Sequence, residues 1–249
     1  RKDSYSTKAT RALEFESYLS SQSKVLEIGA GYGTFLKALT DKFGATVSGI
    51  EPGQMGSRVG KEHYKLDVVH GTLESELSKN SSKYVNNYDC VVMVHVLEHL
   101  QDPLAKLKDI RTVLNNSGIL YIAVPNLIKP DEALEKFFHD EHLSYFSPYT
   151  LGSILKRAGF SIVSCVQKPK ELVMIASVNQ DLVNQLDIDG LKEDCLPSEI
   201  IKLLSGHQKK YSHLRSVKSI LSHLLPKAVL HKLSNVVAGV LRSVGILRV

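Results

Sequence analysis

Strand-like and helix-like runs alternate up to about residue 160, and this alternation limits the fold more than any other feature of the chain. Lys24–Ile28 (KVLEI), Thr46–Glu51 (TVSGIE), Asp67–His70 (DVVH), Tyr88–Val96 (YDCVVMVHV) and Gly118–Val124 (GILYIAV) read as strands. Several are apolar without clean alternation, as suits strands covered on both faces. Thr34–Phe43 and Pro103–Leu114 between them carry helical patterning. This spacing predicts an α/β fold: a parallel sheet with helices on both sides. A helix over Pro148–Ala158, closed by Gly159, leads to strands Ser161–Gln167 and Leu172–Val178. The link between them, KPKE, is too short for a parallel crossover, so the sheet should finish on an antiparallel pair.

Composition sets the surroundings. The chain has 249 residues, 43% of them hydrophobic and 23% charged, ordinary values for a globular protein and enough for one large domain with an appendage. No apolar run reaches the ~18 residues of a membrane span, and the charged start RKDSYSTK has no apolar core of a secretory signal. Cys90, Cys165 and Cys195 form no CxxC or zinc pattern, which implies a reducing, cytoplasmic setting. The net charge of +5 conceals an asymmetry. Residues 200–249 hold nine Lys/Arg and no Asp or Glu, while residues 1–199 hold 22 basic against 26 acidic residues. We therefore expect a domain over residues 1–180 and a basic helical extension over 181–249. The extension suits a helical cap on the domain, a contact with a second copy, or peripheral contact with an anionic membrane or glycan carrier. No motif that reads nucleic acid accompanies it, so no nucleic-acid partner is expected.

The first strand runs directly into Gly29-Ala30-Gly31-Tyr32-Gly33, with a helix starting at Thr34. Glycines there allow positive φ and close backbone approach to a ligand, and the helix start offers free N–H groups. A dinucleotide fingerprint needs glycine where Thr34 stands. The pattern E-x-G-x-G-x-G instead favours a smaller adenosyl ligand without a pyrophosphate. Glu51, ending the second strand, is placed to accept hydrogen bonds from ribose hydroxyls.

Taken in order, EIGAGYGTFLKAL, GIEP, YDCVVMVHVLEHLQDP and GILYIAVPN resemble the class I S-adenosylmethionine-dependent methyltransferases. The resemblance spans about residues 20–178 and implies a Rossmann-like seven-stranded sheet with an antiparallel last strand. It also implies S-adenosylmethionine as cofactor. Gly29, Gly31 and Gly33 would underlie its methionine part, with Glu27 anchoring the loop and Glu51 on the ribose. The stretch His70–Glu74 would meet adenine. Many family members have an acid after the glycine; here Thr72 stands there, leaving backbone groups, Leu73 or Glu74 to serve. Met93 and His95 would face the sulfonium. His95 and His99 also suit a structural hydrogen-bonding role at a strand end.

HDEHLSYFS, residues 139–147, should hang over the carboxyl ends of the strands, where such folds bind ligands. Methyl transfer to a hydroxyl needs in-line positioning and a base. FFHDEHLSYFSPYTLGSILKRAGF resembles a subgroup acting on sugars and nucleotide sugars, which implies a Glu141–His142 pair with His142 as general base and Glu141 orienting it. His139 and His142 are spaced to share a metal on a helix face, but the family's chemistry needs none and no metal is expected. Tyr145 and Phe146 suit lid packing, and Ser147 before Pro148 suits a helix N-cap. The sugar C-methylating relatives carry an N-terminal zinc module and a further C-terminal domain absent from this sequence, so O-methylation of a sugar hydroxyl in polysaccharide biosynthesis is the first expectation. A quinone-like or other small-molecule acceptor is the second, and a non-catalytic cofactor-binding scaffold the third.

Overall fold

Residues in the central strands alternate between two apolar layers, because successive side chains in a strand point to opposite faces. In the computed structural model, which describes residues 5–168, 170–181, 186–188, 198–209 and 211, Leu26, Ile28, Val91, Met93, Leu120 and Ile122 enter one buried cluster. Their neighbours Val25, Cys90, Val92, Tyr121 and Ala123 enter another on the opposite face. Both faces are therefore covered, which accounts for the near-continuous apolar runs.

The strands are β1 (Lys24–Ile28), β2 (Thr46–Glu51), β3 (Asp67–His70), β4 (Tyr88–Val94), β5 (Leu114–Pro125), β6 (Ser161–Gln167) and β7 (Glu171–Ser177). They form one seven-stranded sheet in the order β3-β2-β1-β4-β5-β7-β6. Pairing is parallel from β3 through β5. The β5–β7 and β6–β7 pairs are antiparallel, as the short link requires. The helices are α1 (Tyr5–Ala12), α2 (Thr34–Phe43), α3 (Gln54–Glu62), α4 (Leu73–Tyr84), α5 (Pro103–Val113), the single turn α6 (Leu134–Phe137) and α7 (Pro148–Arg157). The chain leaves β1 toward β2 and β3, then returns to place β4 on the other side of β1. That reversal opens a crevice at the carboxyl ends of β1 and β4.

Several expected boundaries move by a residue or more, and three of the shifts bear on the site or the sheet. β4 ends at Val94 rather than Val96, because His95 adopts φ 55°, a left-handed conformation that breaks an extended strand. β5 begins at Leu114 rather than Gly118, across an irregularity where the register steps from Tyr88↔Leu114 to Cys90↔Ile119. β7 takes in Glu171, paired with Pro125.

The expected boundary near residue 180 and most of the basic extension lie outside the described residues. Of that extension, Ile188 is buried in the main core. Residues 198–209 are helical, and there His207 Nε2 donates to Glu132 O at 2.7 Å and Gln208 Nε2 donates to Glu135 Oε1 at 2.6 Å. Among the described residues no helix is long and apolar enough to cross a membrane.

Candidate active site

The turn after β1 carries three glycines with positive φ: Gly29 at 75°, Gly31 at 52° and Gly33 at 75°. They do different work. A Cβ on Gly29 would lie 2.4 Å from Val96 Cγ2, so the loops after β1 and β4 close on each other only because this residue has no side chain. Gly31 has open space around its missing Cβ, and its N–H donates to Glu51 Oε2 at 2.7 Å. Gly33 is the N-cap of α2, and a Cβ there would press on Leu66 and on the backbone of Gly60. Glu51 accepts a second backbone hydrogen bond at Oε1 from Gly53, also 2.7 Å. Its carboxylate thus clamps the glycine loop to the start of α3, and each oxygen retains a lone pair for a ligand hydroxyl.

A cavity of about 420 Å³ occupies the crevice. Gly29, Glu51, Thr72, Leu73, His95 and Val96 line it, with Glu74, His99, Leu100 and Lys106 completing the wall. Leu73 is buried and offers an apolar surface. Thr72 caps α4 through its hydroxyl, which accepts from Ser75 N at 3.3 Å. Glu74 pairs with Lys106, whose ammonium is pushed down by burial. Four of the expected cofactor residues, Glu27, Gly31, Gly33 and Met93, do not line the cavity. Gly31 and Gly33 shape the loop beside it, Glu27 is buried in β1, and the Met93 side chain is fully buried in the core because alternation along β4 turns it there.

At the open end of the crevice a short 3-10 turn, Leu97–His99, follows β4. The segment 139–146 folds back onto it. Leu143 N and Ser144 N donate to Glu98 O at 2.8 and 3.1 Å, and His99 Nδ1 donates to Glu141 O at 2.7 Å. At the segment's end Leu127 N donates to Phe146 O, and Tyr145 packs its ring against Phe137 and Phe138. The HDEHL loop is thereby fixed against the turn after β4, next to the His99 that lines the crevice, with Tyr145 and Phe146 in packing roles; none of residues 139–146, His142 and Glu141 included, lines the cavity itself.

The carboxylate that meets His142 differs from the expected one. A turn at Asp140–Glu141 sends adjacent side chains apart, so Glu141 is exposed and contributes its backbone carbonyl, while His142 turns inward. His142 Nε2 lies 3.9 Å from Glu98 Oε1, and Glu98 is fully buried. The same oxygen is 3.2 Å from His95 Nδ1. Burial, with the neighbouring His139 imidazole, pushes His142 below the ordinary imidazole range. His95 goes the other way: burial opposes its charge, but Glu171 and Glu98 outweigh that and push it up to about 9. Glu171 in turn pairs with Arg11 at 2.5 Å, and His95 Nε2 is 3.7 Å from it.

Glu98, Glu171, Arg11 and Lys106 were not singled out from sequence. Glu98 carried a signal, a Glu-His pair just beyond a strand that enters the crevice. Glu171 sat in the link between two strands and Arg11 far upstream, with nothing local to mark either.

A seven-stranded sheet of this order, with a glycine-lined crevice and an acidic residue ending β2, defines the fold of S-adenosylmethionine-dependent methyltransferases. The methyltransferase domain family matches residues 2–165, and the chain belongs to that family. S-adenosylmethionine is the cofactor of this family and fold, and a cavity whose walls close on the side-chain-free Gly29 and on Glu51 fits it. A solved methyltransferase from Archaeoglobus fulgidus shares the fold, with a TM-score of 0.54 at 20% identity over 70% of this chain and 94% of that one. Among curated proteins, the ubiquinone biosynthesis O-methyltransferase of Histophilus somni is 31% identical over 111 residues, 43% of this chain and 46% of its own. That of Actinobacillus pleuropneumoniae is 27% identical over 108 residues, 41% of this chain and 46% of its own. The chain thus spans less than half the length of these relatives. Their names point to ubiquinone biosynthesis, not to the sugars expected from the HDEHLSYFS stretch.

Proposed function

We propose that this chain transfers the methyl group of S-adenosylmethionine to a hydroxyl of a small quinone-type aromatic acceptor, in place of the sugar hydroxyl expected from sequence. The observation that carries this reading is the junction of the glycine-lined cavity with the Glu98–His99–His142 cluster at its open end. Glu51 and the glycine loop hold the cofactor, and Leu73 packs on its adenine. The methyl carbon then faces the cluster, where the acceptor hydroxyl must lose its proton. His142 is the residue we assign to that proton's removal. It points inward beneath the anchored loop, and its Nδ1 is buried without a hydrogen-bond partner. The similarity to ubiquinone biosynthesis O-methyltransferases supports the acceptor class.

Calorimetry with S-adenosylmethionine and S-adenosylhomocysteine tests the cofactor half of the reading; absence of binding by both would sink it. Mass spectrometry for methyl addition, across a panel of dihydroxyaromatic acids, phenols and nucleotide sugars, tests the acceptor half. Aromatic hydroxyls should gain the methyl group, and a product confined to sugars would return the first expectation. His142→Ala should lower kcat by about 10²-fold or more, the range of general-base contributions, with S-adenosylhomocysteine affinity unchanged. An unchanged kcat removes His142 from the chemistry.

A further inference from the structure

The geometry points to a divalent-metal site on Glu98, His99 and His142, suited to a first-row transition ion and to Zn2+ first. One ligand atom from each of the three lies within 4.8 Å of the others. A zinc ion with bonds of about 2.0–2.2 Å holds its ligand atoms roughly 3–4 Å apart, so modest side-chain adjustment closes the set. Two histidines and a carboxylate form a donor set that zinc uses where it keeps an open position.

Three observations separate this cluster from a chance meeting of polar groups. Glu98 is fully buried, and its Oε2 has no hydrogen-bond partner. A carboxylate oxygen held out of water is costly unless a cation or donor meets it. The buried Nδ1 of His142 also lacks a partner. His99 is already set as a metal ligand: its Nδ1 faces the Glu141 carbonyl at 2.7 Å, so the proton sits on Nδ1 and Nε2 keeps its lone pair. Holding the second imidazole nitrogen on a carbonyl is the arrangement that orients metal-binding histidines. The ligands come from the turn after β4 and from the loop after β5, the two segments that Leu143, Ser144 and His99 tie together. His99 lines the cofactor cavity, so an open coordination position would face the acceptor.

The metal's part in the reaction rests on the proposed methyl transfer, but its binding does not. With the acceptor oxygen on the metal, the O–H bond breaks and its proton passes to solvent. The freed oxygen pair forms the new C–O bond to the methyl carbon. The C–S bond breaks with its electrons staying on sulfur, and the sulfonium becomes a neutral thioether. With the metal bound, His142 serves as a ligand, and it promotes loss of the proton only through the metal, which lowers the hydroxyl's pKa, in place of accepting the proton itself.

The test uses the full chain, without a histidine tag and freed of metal, titrated with Co2+ as a visible stand-in for Zn2+. The expected result is one equivalent of Co2+ with ligand-field bands, displaced by Zn2+. Glu98→Gln, His99→Ala and His142→Ala should each weaken binding by at least about tenfold, the scale of losses at metal sites, and His63→Ala should not. Absent bands, or bands that survive all three substitutions, overturn the site. Should Glu98→Gln fail to fold by circular dichroism, the two histidine variants decide the matter. S-adenosylhomocysteine calorimetry on the same samples keeps the two readings apart. Cofactor binding without a metal site overturns this inference alone, whereas a metal site without cofactor binding overturns the methyl-transfer reading and leaves the site standing.

Discussion

At the scale of single residues, the glycine loop offers the sharpest contrast. Gly29 and Gly31 both hold positive φ, which costs an L-residue about 1–2 kcal/mol. Only Gly29 also has a neighbour, Val96 Cγ2, inside any allowed Cβ distance. Gly31→Ala should therefore lower stability by about 1 kcal/mol in urea denaturation, and Gly29→Ala should lower it further. Gly29→Ala should also weaken S-adenosylhomocysteine binding more than tenfold, because Val96 must move into the cavity wall. Equal losses from the two substitutions would show that strain alone governs this loop. The loop's left-handed conformation was legible because glycine adopts positive φ without strain, and the spacing after a strand is local information. Glu98 was not legible in the same way. Its partners lie on either side of it in space only because His95 turns left-handed and residues 139–144 fold back to the turn. Neither event has a signature in adjacent residues. The expected Glu141–His142 pair failed for a related reason, since a tight turn points neighbours in opposite directions.

At the scale of elements, the helix that follows HDEHLSYFS was readable to within one residue at its C-terminal end. Ser147 stands at its N-cap, accepting from Thr150 N at 3.2 Å, and Thr150 Oγ1 accepts from Ser147 N at 2.9 Å, with Pro148 in the first turn. This reciprocal cap is written in four consecutive residues. Ser147 is fully buried, so its removal leaves an N–H that water cannot reach. Ser147→Ala should cost about 1–2 kcal/mol, the upper part of the range for lost caps, with cofactor affinity unchanged. A cost near zero would mean that packing of α7 on β6, not its cap, fixes the helix start. The strand ends were less readable. A run such as YDCVVMVHV has no breaker at its end, and β4 stops at Val94 because His95 turns left-handed there. One residue at the start of β7 mattered more: its inclusion sets Glu171 in register and aims it at His95 and Arg11.

At the scale of the whole molecule, the polar groups beneath the site join the two ends of the described domain. Arg11 of α1 donates to Glu171 of β7 at 2.5 Å and to the Tyr121 hydroxyl of β5 at 3.2 Å. Tyr121 donates to Glu14 Oε2 at 2.8 Å, and Lys168 donates to Glu14 Oε1 at 2.6 Å. Phe15 packs its ring at a tilt against Tyr121 and Phe35 within the same layer. The first helix is thus fastened across the sheet by charges from residues more than 150 positions away, a link that no local pattern could disclose. Burial disfavours the charged form of Glu171, but His95 and Arg11 outweigh it and hold the carboxyl at about 2, against an ordinary value of 4.5. A carboxyl depressed in the folded state stabilises fully above its unfolded pKa, and that contribution is lost as pH falls through the folded value. The window here runs from about pH 4.5 down to about 2. At roughly 1.4 kcal/mol per pKa unit, the link contributes about 3 kcal/mol at neutral pH and about 1 kcal/mol near pH 3. Urea denaturation of the wild type and of Glu171→Gln at several pH values reads this directly. The gap between the two proteins should be widest from neutral pH down to about 5 and should narrow steadily below that as the wild-type carboxylate protonates. A gap that stays constant down to pH 2 would show that Glu171 contributes through shape alone, and that the charge link between the first helix and the last strand does not hold the domain together.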